Sequence, residues 1–344
     1  MSGGVDSSLA AALLQQQGED VVGVWMRLTP PGFESDAPRC CGTSEAGEQA
    51  RRAAAHLGIP FYALDYAELF GREVVDRFVR SYASAETPNP CVACNQHVKF
   101  EALLRDVIGK FGADRLATGH YARVTVDADG TRRLRRATDS AKDQSYALYT
   151  LGQRELARLL LPIGELRDKS ETRELARSFG LPNAATAESM DICFIGGDYR
   201  TFVRARAPEA FVPGAVERAD GVAIGRHAGM GTLTVGQRSG VGVATGERLY
   251  VLRLEPERNA AIVGTRDEIE QRRYGLRDVR WTVAGPDDAV RTTVALRYRG
   301  TPLPCVVRDA TLELDEPALV APGQAAVFYD GDEVIGGGVI DRAA

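Results

Sequence analysis

At 344 residues the chain is long enough for two or three domains, and 44% hydrophobic with 26% charged residues is the make-up of an ordinary globular protein. No apolar run approaches the length of a bilayer span, and a net charge of −5 argues against blanket affinity for nucleic acid while leaving room for a local basic surface. Six cysteines are too few for a disulfide scaffold of this size, and no basic-then-apolar leader opens the chain, so they are expected to be thiols in the cytosol, available for catalysis or metal.

The chain opens on Ser2-Gly3-Gly4-Val5-Asp6-Ser7-Ser8, and the Leu/Ala-rich stretch after Ser8 reads as a helix. Adjacent glycines allow positive φ and close approach to a ligand, and the helix start offers N–H groups and a positive dipole end to an anion. No G-K-[ST] ends the loop, so it is not a Walker A sequence. The pattern S-G-G-x-D-S resembles the pyrophosphate loop of the PP-loop ATPases, which split ATP into AMP and pyrophosphate. Ser2, Ser7 and Ser8 can add hydroxyl donors to the backbone of Gly3, Gly4 and Val5. Asp6 is anomalous, because a carboxylate repels phosphate; a Mg²⁺ between them, or a role in holding the loop by its N–H groups, would explain it. A loop of this kind normally follows a buried strand and here only Met1 precedes it. The expectation is an upstream start, or a sheet short of one strand at a cost of several kcal/mol of burial.

Strands at 21–26, 61–65 and 115–118 alternate with helices at 45–57, 68–83 and 98–111. That alternation implies a doubly wound parallel α/β sheet with helices on both faces. A hairpin is expected over 121–136, turning at Asp127-Ala128-Asp129-Gly130, and helix again over 152–180. Beyond about residue 200 glycine and short β-like runs dominate. Strands near 222–225, 231–235, 250–254 and 260–263 suggest a small central unit; those at 292–298, 303–308, 325–329 and 333–340 suggest a closed β-barrel. The expected domains are 1–200, 201–275 and 276–344.

Thr87-Pro88-Asn89-Pro90-Cys91-Val92-Ala93-Cys94-Asn95 places Cys91-x-x-Cys94 in a polar, Pro-rich segment that reads as an extended approach to a helix beginning near Val98. A thiol near a helix start is expected to have a depressed pKa; the plainer reading is a pair of small buried hydrophobes. Structural zinc needs two more ligands, and no second C-x-x-C or H-x₃₋₅-H is present. Cys193, in Asp191-Ile192-Cys193-Phe194, reads alone as a core cysteine, but as a third thiol it leaves a three-cysteine cluster open. Thr118-Gly119-His120-Tyr121 falls at the C-terminal end of a strand, where open α/β sheets bind ligands. Lys142-Asp143-Gln144-Ser145-Tyr146 reads either as a solvated turn or as a cation, amide and ring suited to an unpaired base. Basic clusters occur at Arg132-Arg133-Leu134-Arg135-Arg136, Arg272-Arg273 and Arg297-Tyr298-Arg299; the last, expected on a barrel strand, combines charge with a stacking ring.

Residues 2–8, 87–100, 118–123, 142–148, 191–196, 297–299 and 323–340, in that order and from residue 1 almost to the end, resemble the tRNA-specific 2-thiouridylases. The resemblance implies a PP-loop adenylation domain, a small central domain, a C-terminal β-barrel, and insertion of sulfur at C2 of the wobble uridine of tRNA. It implies that residues 2–8 hold ATP with Mg²⁺, and that Met26 and Gly119 meet its adenine or ribose side. Cys193 corresponds to the cysteine that carries a persulfide, and Cys94 to the partner thiol that releases the sulfur and leaves a Cys94–Cys193 disulfide. Asn89, Pro90 and Cys91 correspond to the target-base contact, and His120, Lys142, Asp143, Gln144, Arg297, Tyr298 and Gln324 to further tRNA contacts. Some members carry Asp where this chain has Cys91. The thiol makes a [4Fe–4S] cluster on Cys91, Cys94 and Cys193 an alternative, and the relay is favoured because Cys94 and Cys193 alone suffice for it. The implied setting is the cytoplasm, with a monomer that receives sulfur from a persulfide-bearing relay protein and touches no membrane.

Overall fold

The computed structural model describes residues 1–29, 42–186, 192–243, 246–286 and 288–341. The Ala/Leu run gives a helix over Val5–Gln16, with Gly4 at its N-cap. Strand β1 (Gly23–Arg27) pairs in parallel with β2 (Phe61–Asp65), joined through a helix over Ser44–Leu57 that Thr43 caps and Gly58, at φ 68°, ends. Strand β3 (Leu116–Ala117) pairs in parallel with β6 (Leu159–Leu160), and between them lies the hairpin of β4 (Ala122–Val126) and β5 (Arg132–Arg136). Trp25 packs on Gly47 of the Ser44–Leu57 helix, whereas its neighbours Val24 and Met26 pack on the cluster of Phe70, Phe78 and Phe100. Alternate side chains of β1 thus enter different helical layers, as in a sheet wound on both faces.

Two helical expectations change. The helix expected from Val98 begins at Pro90: Pro90 sits at its first position, the Asn89 carboxamide caps Cys91 and Val92, and the chain stays helical through a wide-turned π stretch, Cys94–Leu103, to Phe111. The cysteine pair is therefore in the first turns of the helix and not on an extended approach. The helix expected over 152–180 is a turn over Gln153–Leu156, strand β6, and a helix over Lys169–Ser178.

The middle unit is a four-stranded sheet in the order β8 (Ala223–His227), β7 (Gly214–Arg218), β10 (Ala260–Gly264), β9 (Tyr250–Glu255), closed over Val216, Val251 and Ala261. The strand expected at 231–235 starts instead as a 3₁₀ turn over Met230–Thr232, because Gly229 is at φ 124° and the Phe211 ring fills the space beside Gly231. The last unit is a closed six-stranded barrel: β11 (Gln271–Trp281), β14 (Thr311–Ala318), β13 (Leu303–Arg308), β12 (Val290–Ala295), β15 (Ala325–Asp330), β16 (Glu333–Ile340) and back to β11. It encloses Leu276, Val294, Cys305, Leu312 and Phe328. Strand β11 was hidden by its outward arginines, and the domain boundary expected at 275/276 falls inside it. Arg297 and Tyr298 lie not on a strand but in the turn after β12, which closes with Gly300 N–H donating to the Arg297 carbonyl at 2.9 Å.

The barrel is joined to the first unit by backbone. Strand β5 extends its sheet, with Leu134 opposite Val334 and Arg135 opposite Glu333. Most of the basic run is used here: Arg133 pairs with Asp127 at 2.7 Å and Glu333 at 3.0 Å, and Arg135 with Asp332 at 2.6 Å. A second junction holds the segment before the cysteines. Thr87 N–H donates to the Pro322 carbonyl at 2.8 Å, Gln324 Nε2 to the Thr87 carbonyl at 2.8 Å, and Arg277 pairs with Glu86 at 2.7 Å.

Leu134 is fully buried at this seam. Leu134→Ala is expected to cost about 2–5 kcal/mol through the cavity it leaves. Urea denaturation measures it; a loss below about 1 kcal/mol would show that the seam does not hold the barrel in place.

Candidate active site

The loop of residues 2–8 lies between the two parallel strand pairs. Met1 donates its amino group to the Val24 carbonyl of β1, and Gly119, just past β3, abuts the Asp6–Ser7 backbone. A Cβ on Gly119 would stand 2.6 Å from Ser7 N, and one on Gly3, at φ +84°, would stand 2.4 Å from the Ala46 carbonyl oxygen. Both positions exclude any larger residue, so the glycines set how tightly the loop can be drawn over the helix start. The Ser2 and Ser7 hydroxyls are 3.1 Å apart, and Ser2 N–H donates to Ser7 Oγ at 2.9 Å. Asn183, buried, donates from Nδ2 to the Gly3 carbonyl at 2.8 Å and to Ser8 Oγ at 2.9 Å, tying the loop to the segment beyond the Lys169–Ser178 helix.

Asp6 is held by Tyr121, from the Gly119-His120-Tyr121 motif, and by Lys169, which no motif points to. Lys169 Nζ donates to Asp6 Oδ1 at 2.5 Å, and the Tyr121 hydroxyl to the same oxygen at 2.9 Å, with Thr172 Oγ1 2.9 Å beyond. The carboxylate is thus neutralised by a cation, which removes most of its repulsion for a phosphate at the adjacent N–H groups. The signal for Lys169 was present: a lysine in the first turn of a helix opposes the dipole there and needs an anion to compensate it.

Cys94 is buried among Val92, Val98 and Phe100, and Cys193 packs against the same apolar cluster, anchored by Phe194 on the rings of Phe70 and Phe78. Cys91 and Cys305 are free thiols; Cys40, Cys41 and Asp191 lie outside the described residues. Burial pushes the Cys305 thiol in the barrel core up to about 12, which suits a structural cysteine. Protein around the Cys91 sulfur raises that thiol and Lys99 offsets this in part, so the depressed pKa expected at a helix start is not realised at Cys91. Among the described residues no three Cys, His, Asp or Glu side chains converge as metal ligands.

The cysteine helix reaches the loop through a short relay. Asn95 donates to the Ala147 carbonyl at 3.0 Å and accepts Lys99 Nζ at 2.9 Å; Lys99 lies 3.4 Å from His120 Nε2, and His120 Nδ1 lies 2.8 Å from Thr118 Oγ1. His120 follows Gly119 directly. Desolvation, aided by the Lys99 charge, holds its imidazole well below the usual pKa. Of the other expected contacts, Asp143 is buried and accepts from Ala137 N, Ser145 N and Ser145 Oγ. Gln144 is stitched to Tyr121 by its backbone and its side chain. Tyr298 is exposed, with its ring 6.2 Å from that of Tyr146.

Residues 1–197 match the tRNA methyl transferase HUP domain family, 200–265 the tRNA methyl transferase PRC-barrel domain, and 272–340 the aminomethyltransferase beta-barrel domain. Fold and loop together define a HUP-type, PP-loop protein carrying a PRC-barrel-like domain and a β-barrel. The chain is 48% identical over 350 residues to the tRNA-specific 2-thiouridylase MnmA of Chloroflexus aggregans, covering 99% of this chain and 97% of that protein. The namesake from Moorella thermoacetica is 46% identical over 358 residues, covering 100% and 99%, and that from Geobacter metallireducens 43% over 357 residues, covering 100% and 96%. The chain belongs to the tRNA-specific 2-thiouridylase family.

Removing the cation should expose the Asp6 charge to the incoming phosphate. Lys169→Met is expected to weaken ATP binding at least about tenfold by calorimetry, with Asp6→Asn in the same chain restoring part of it; an unchanged Kd for Lys169→Met would contradict this role. His120 is neutral in the fold, so the unfolded chain takes up a proton here that the folded chain does not. Stability is therefore complete above about pH 6.5 and falls as pH drops below that value. Buried His227, also lowered by desolvation, contributes with the same sign. His120→Gln should flatten the stability profile between about pH 6.5 and 5; an unaltered slope would mean that His120 titrates normally.

Proposed function

We propose that this protein is an ATP-dependent tRNA sulfurtransferase that replaces the C2 oxygen of the wobble uridine with sulfur. One observation carries the reading. The helix bearing Cys94 is tied by Lys99 and His120 to the residue beside the phosphate loop, while Cys193 packs on that helix's own core cluster. Carbonyl activation by nucleotide and delivery of a thiol-borne group are thereby coupled. The HUP and PRC-barrel family descriptions name methyl transfer, whereas the full-length relatives are named thiouridylases; two cysteines on one core cluster, linked through Lys99 and His120 to the phosphate loop, favour sulfur.

A uracil C2 carbonyl is a poor electrophile with a poor leaving group. In the proposed sequence the C2 oxygen attacks the α-phosphorus of ATP held by residues 2–8, and pyrophosphate leaves. Met26, half-buried at the end of β1, and Gly119 flank the nucleoside. Mg²⁺ would neutralise the triphosphate there. The terminal sulfur of a persulfide on Cys193 attacks C2, and AMP departs with the former C2 oxygen. The Cys94 thiolate then attacks Cys193 Sγ, which releases 2-thiouridine and leaves a Cys94–Cys193 disulfide for an external thiol reductant to reset. A protein persulfide donor reloads Cys193 in the cytoplasm, and the chain acts as a monomer.

On the RNA side Asn89, Pro90 and Cys91 would meet the target base, flipped out of the anticodon stack. Lys142, Arg297 and Tyr298 supply charge and a stacking ring, with His120 nearby. Asp143, Gln144 and Gln324 spend their groups on protein partners, and serve by positioning the loops that carry those contacts.

Cys193→Ala should abolish 2-thiouridine, a drop of at least about 10³-fold, while ATP and tRNA affinities stay within about twofold. Nucleoside mass spectrometry of the treated tRNA reads it; full thiolation by this variant would overturn the persulfide route, and adenylation of a substrate other than tRNA would point to a different PP-loop enzyme.

A further inference from the structure

Lys99 lies half-buried on the cysteine helix and meets the turn after β3. Its Nζ donates to Asn95 Oδ1 at 2.9 Å and to His120 Nε2 at 3.4 Å. An ammonium has three N–H groups and no lone pair, so His120 Nε2 is the acceptor and its Nδ1–H donates to Thr118 Oγ1 at 2.8 Å. Desolvation, aided by the Lys99 charge, keeps that imidazole neutral. Both partners of the ammonium are therefore uncharged. Among the described residues no carboxylate pairs with Lys99, whereas Lys110 and Lys169 have Asp106 and Asp6. A partly desolvated cation without a counter-ion is costly, and this one keeps a third N–H to offer an anion.

Its position selects the anion. His120 follows Gly119, which abuts the Asp6–Ser7 backbone, so the ammonium stands where the cysteine helix approaches the phosphate loop. Its charge also reaches Cys91, where it offsets part of the rise that burial imposes on the thiol. In the reaction proposed above, the α-phosphorus must come within bonding reach of the C2 oxygen, and C2 within reach of a thiol-borne sulfur. The α-phosphoryl group then belongs on the side of the loop that faces the cysteine helix. We propose that Lys99 is a catalytic cation whose third N–H meets a non-bridging oxygen of the α-phosphate and stabilises the charge gathering there during adenylation. This rests on the thiolation reading. In that step the bond from the C2 oxygen to the α-phosphorus forms as the α–β phosphoanhydride bond breaks; the electron pair leaves with pyrophosphate and the uracil N3 proton goes to solvent. A fixed cation at the equatorial oxygens serves the transition state more than the ground state, which is where it raises the rate.

The test is tRNA-dependent pyrophosphate release by the wild type and Lys99→Gln, with ATP and with the two diastereomers of its α-phosphorothioate, in which sulfur replaces one or the other non-bridging oxygen. Glutamine keeps N–H groups for Asn95 and His120 but removes the charge. Lys99→Gln is expected to lower kcat for pyrophosphate release about 10²-fold and to leave KM for ATP within about threefold. It is also expected to change the ratio of rates with the two diastereomers by at least about tenfold, because only the oxygen facing the ammonium loses a partner. Release within about twofold of the wild type would overturn the proposal. Slow release with an unchanged ratio would overturn it as well, showing that Lys99 only ties the helix to His120. Should Lys99→Gln fail to fold, Lys99→Arg, which keeps the charge but moves it, decides by the same ratio. A wild type that releases no pyrophosphate with wobble-uridine tRNA would instead overturn the function from which the proposal follows.

Discussion

A carboxylate beside a phosphate site is tolerable only if something cancels its charge, and the Lys169–Asp6 pair does so at 2.5 Å. Other parts of the site depend on that contact. It fixes the loop against Tyr121, whose backbone exchanges hydrogen bonds with Gln144, so the phosphate end and the loop at 142–145 share one anchor. Lys169 in turn is presented by a helix that Asp168 caps, and Asn183 past that helix's end holds the loop's carbonyls from the other side. The strength of such a pair lies in its partial burial, since an exposed pair would contribute little.

The barrel is more than an appended domain. It is hydrogen-bonded into the sheet of the first unit at β5, and the 321–324 turn clasps Thr87, three residues before the proline that starts the cysteine helix. The position of Cys91 and Cys94 is thus set from the C-terminal end of the chain. The segment before the thiols is thereby tied to the barrel by direct hydrogen bonds. The run of arginines at 132–136 serves the same seam: Arg133 and Arg135 pair with Glu333 and Asp332, and Arg136 stacks its guanidinium on Tyr329.

Much of this was legible in the sequence. The β–α alternation, the Gly-rich loop with its helix, the 127–130 turn and the barrel strands with buried apolar alternation all follow from local pattern. What escaped was non-local or ambiguous. Pro90 reads equally as a breaker or a helix start, and only the Asn89 cap decides. Strand β11 carries arginines outward, and its apolar face is too sparse to stand out. Lys169 and Asn183 lie more than 160 residues from the loop they serve, and no spacing rule connects them to it. Asp143 and Gln324 sit in motifs that point to RNA, yet their side chains are used to hold backbone.

The central claim is that ATP is spent on the uracil C2 oxygen itself. It is tested most directly with a tRNA whose wobble uridine carries ¹⁸O at C2. The account predicts that the label leaves with the nucleotide and is recovered in the phosphate of AMP, one atom for each 2-thiouridine formed. Label recovered in water or pyrophosphate, with unlabelled AMP, would contradict it.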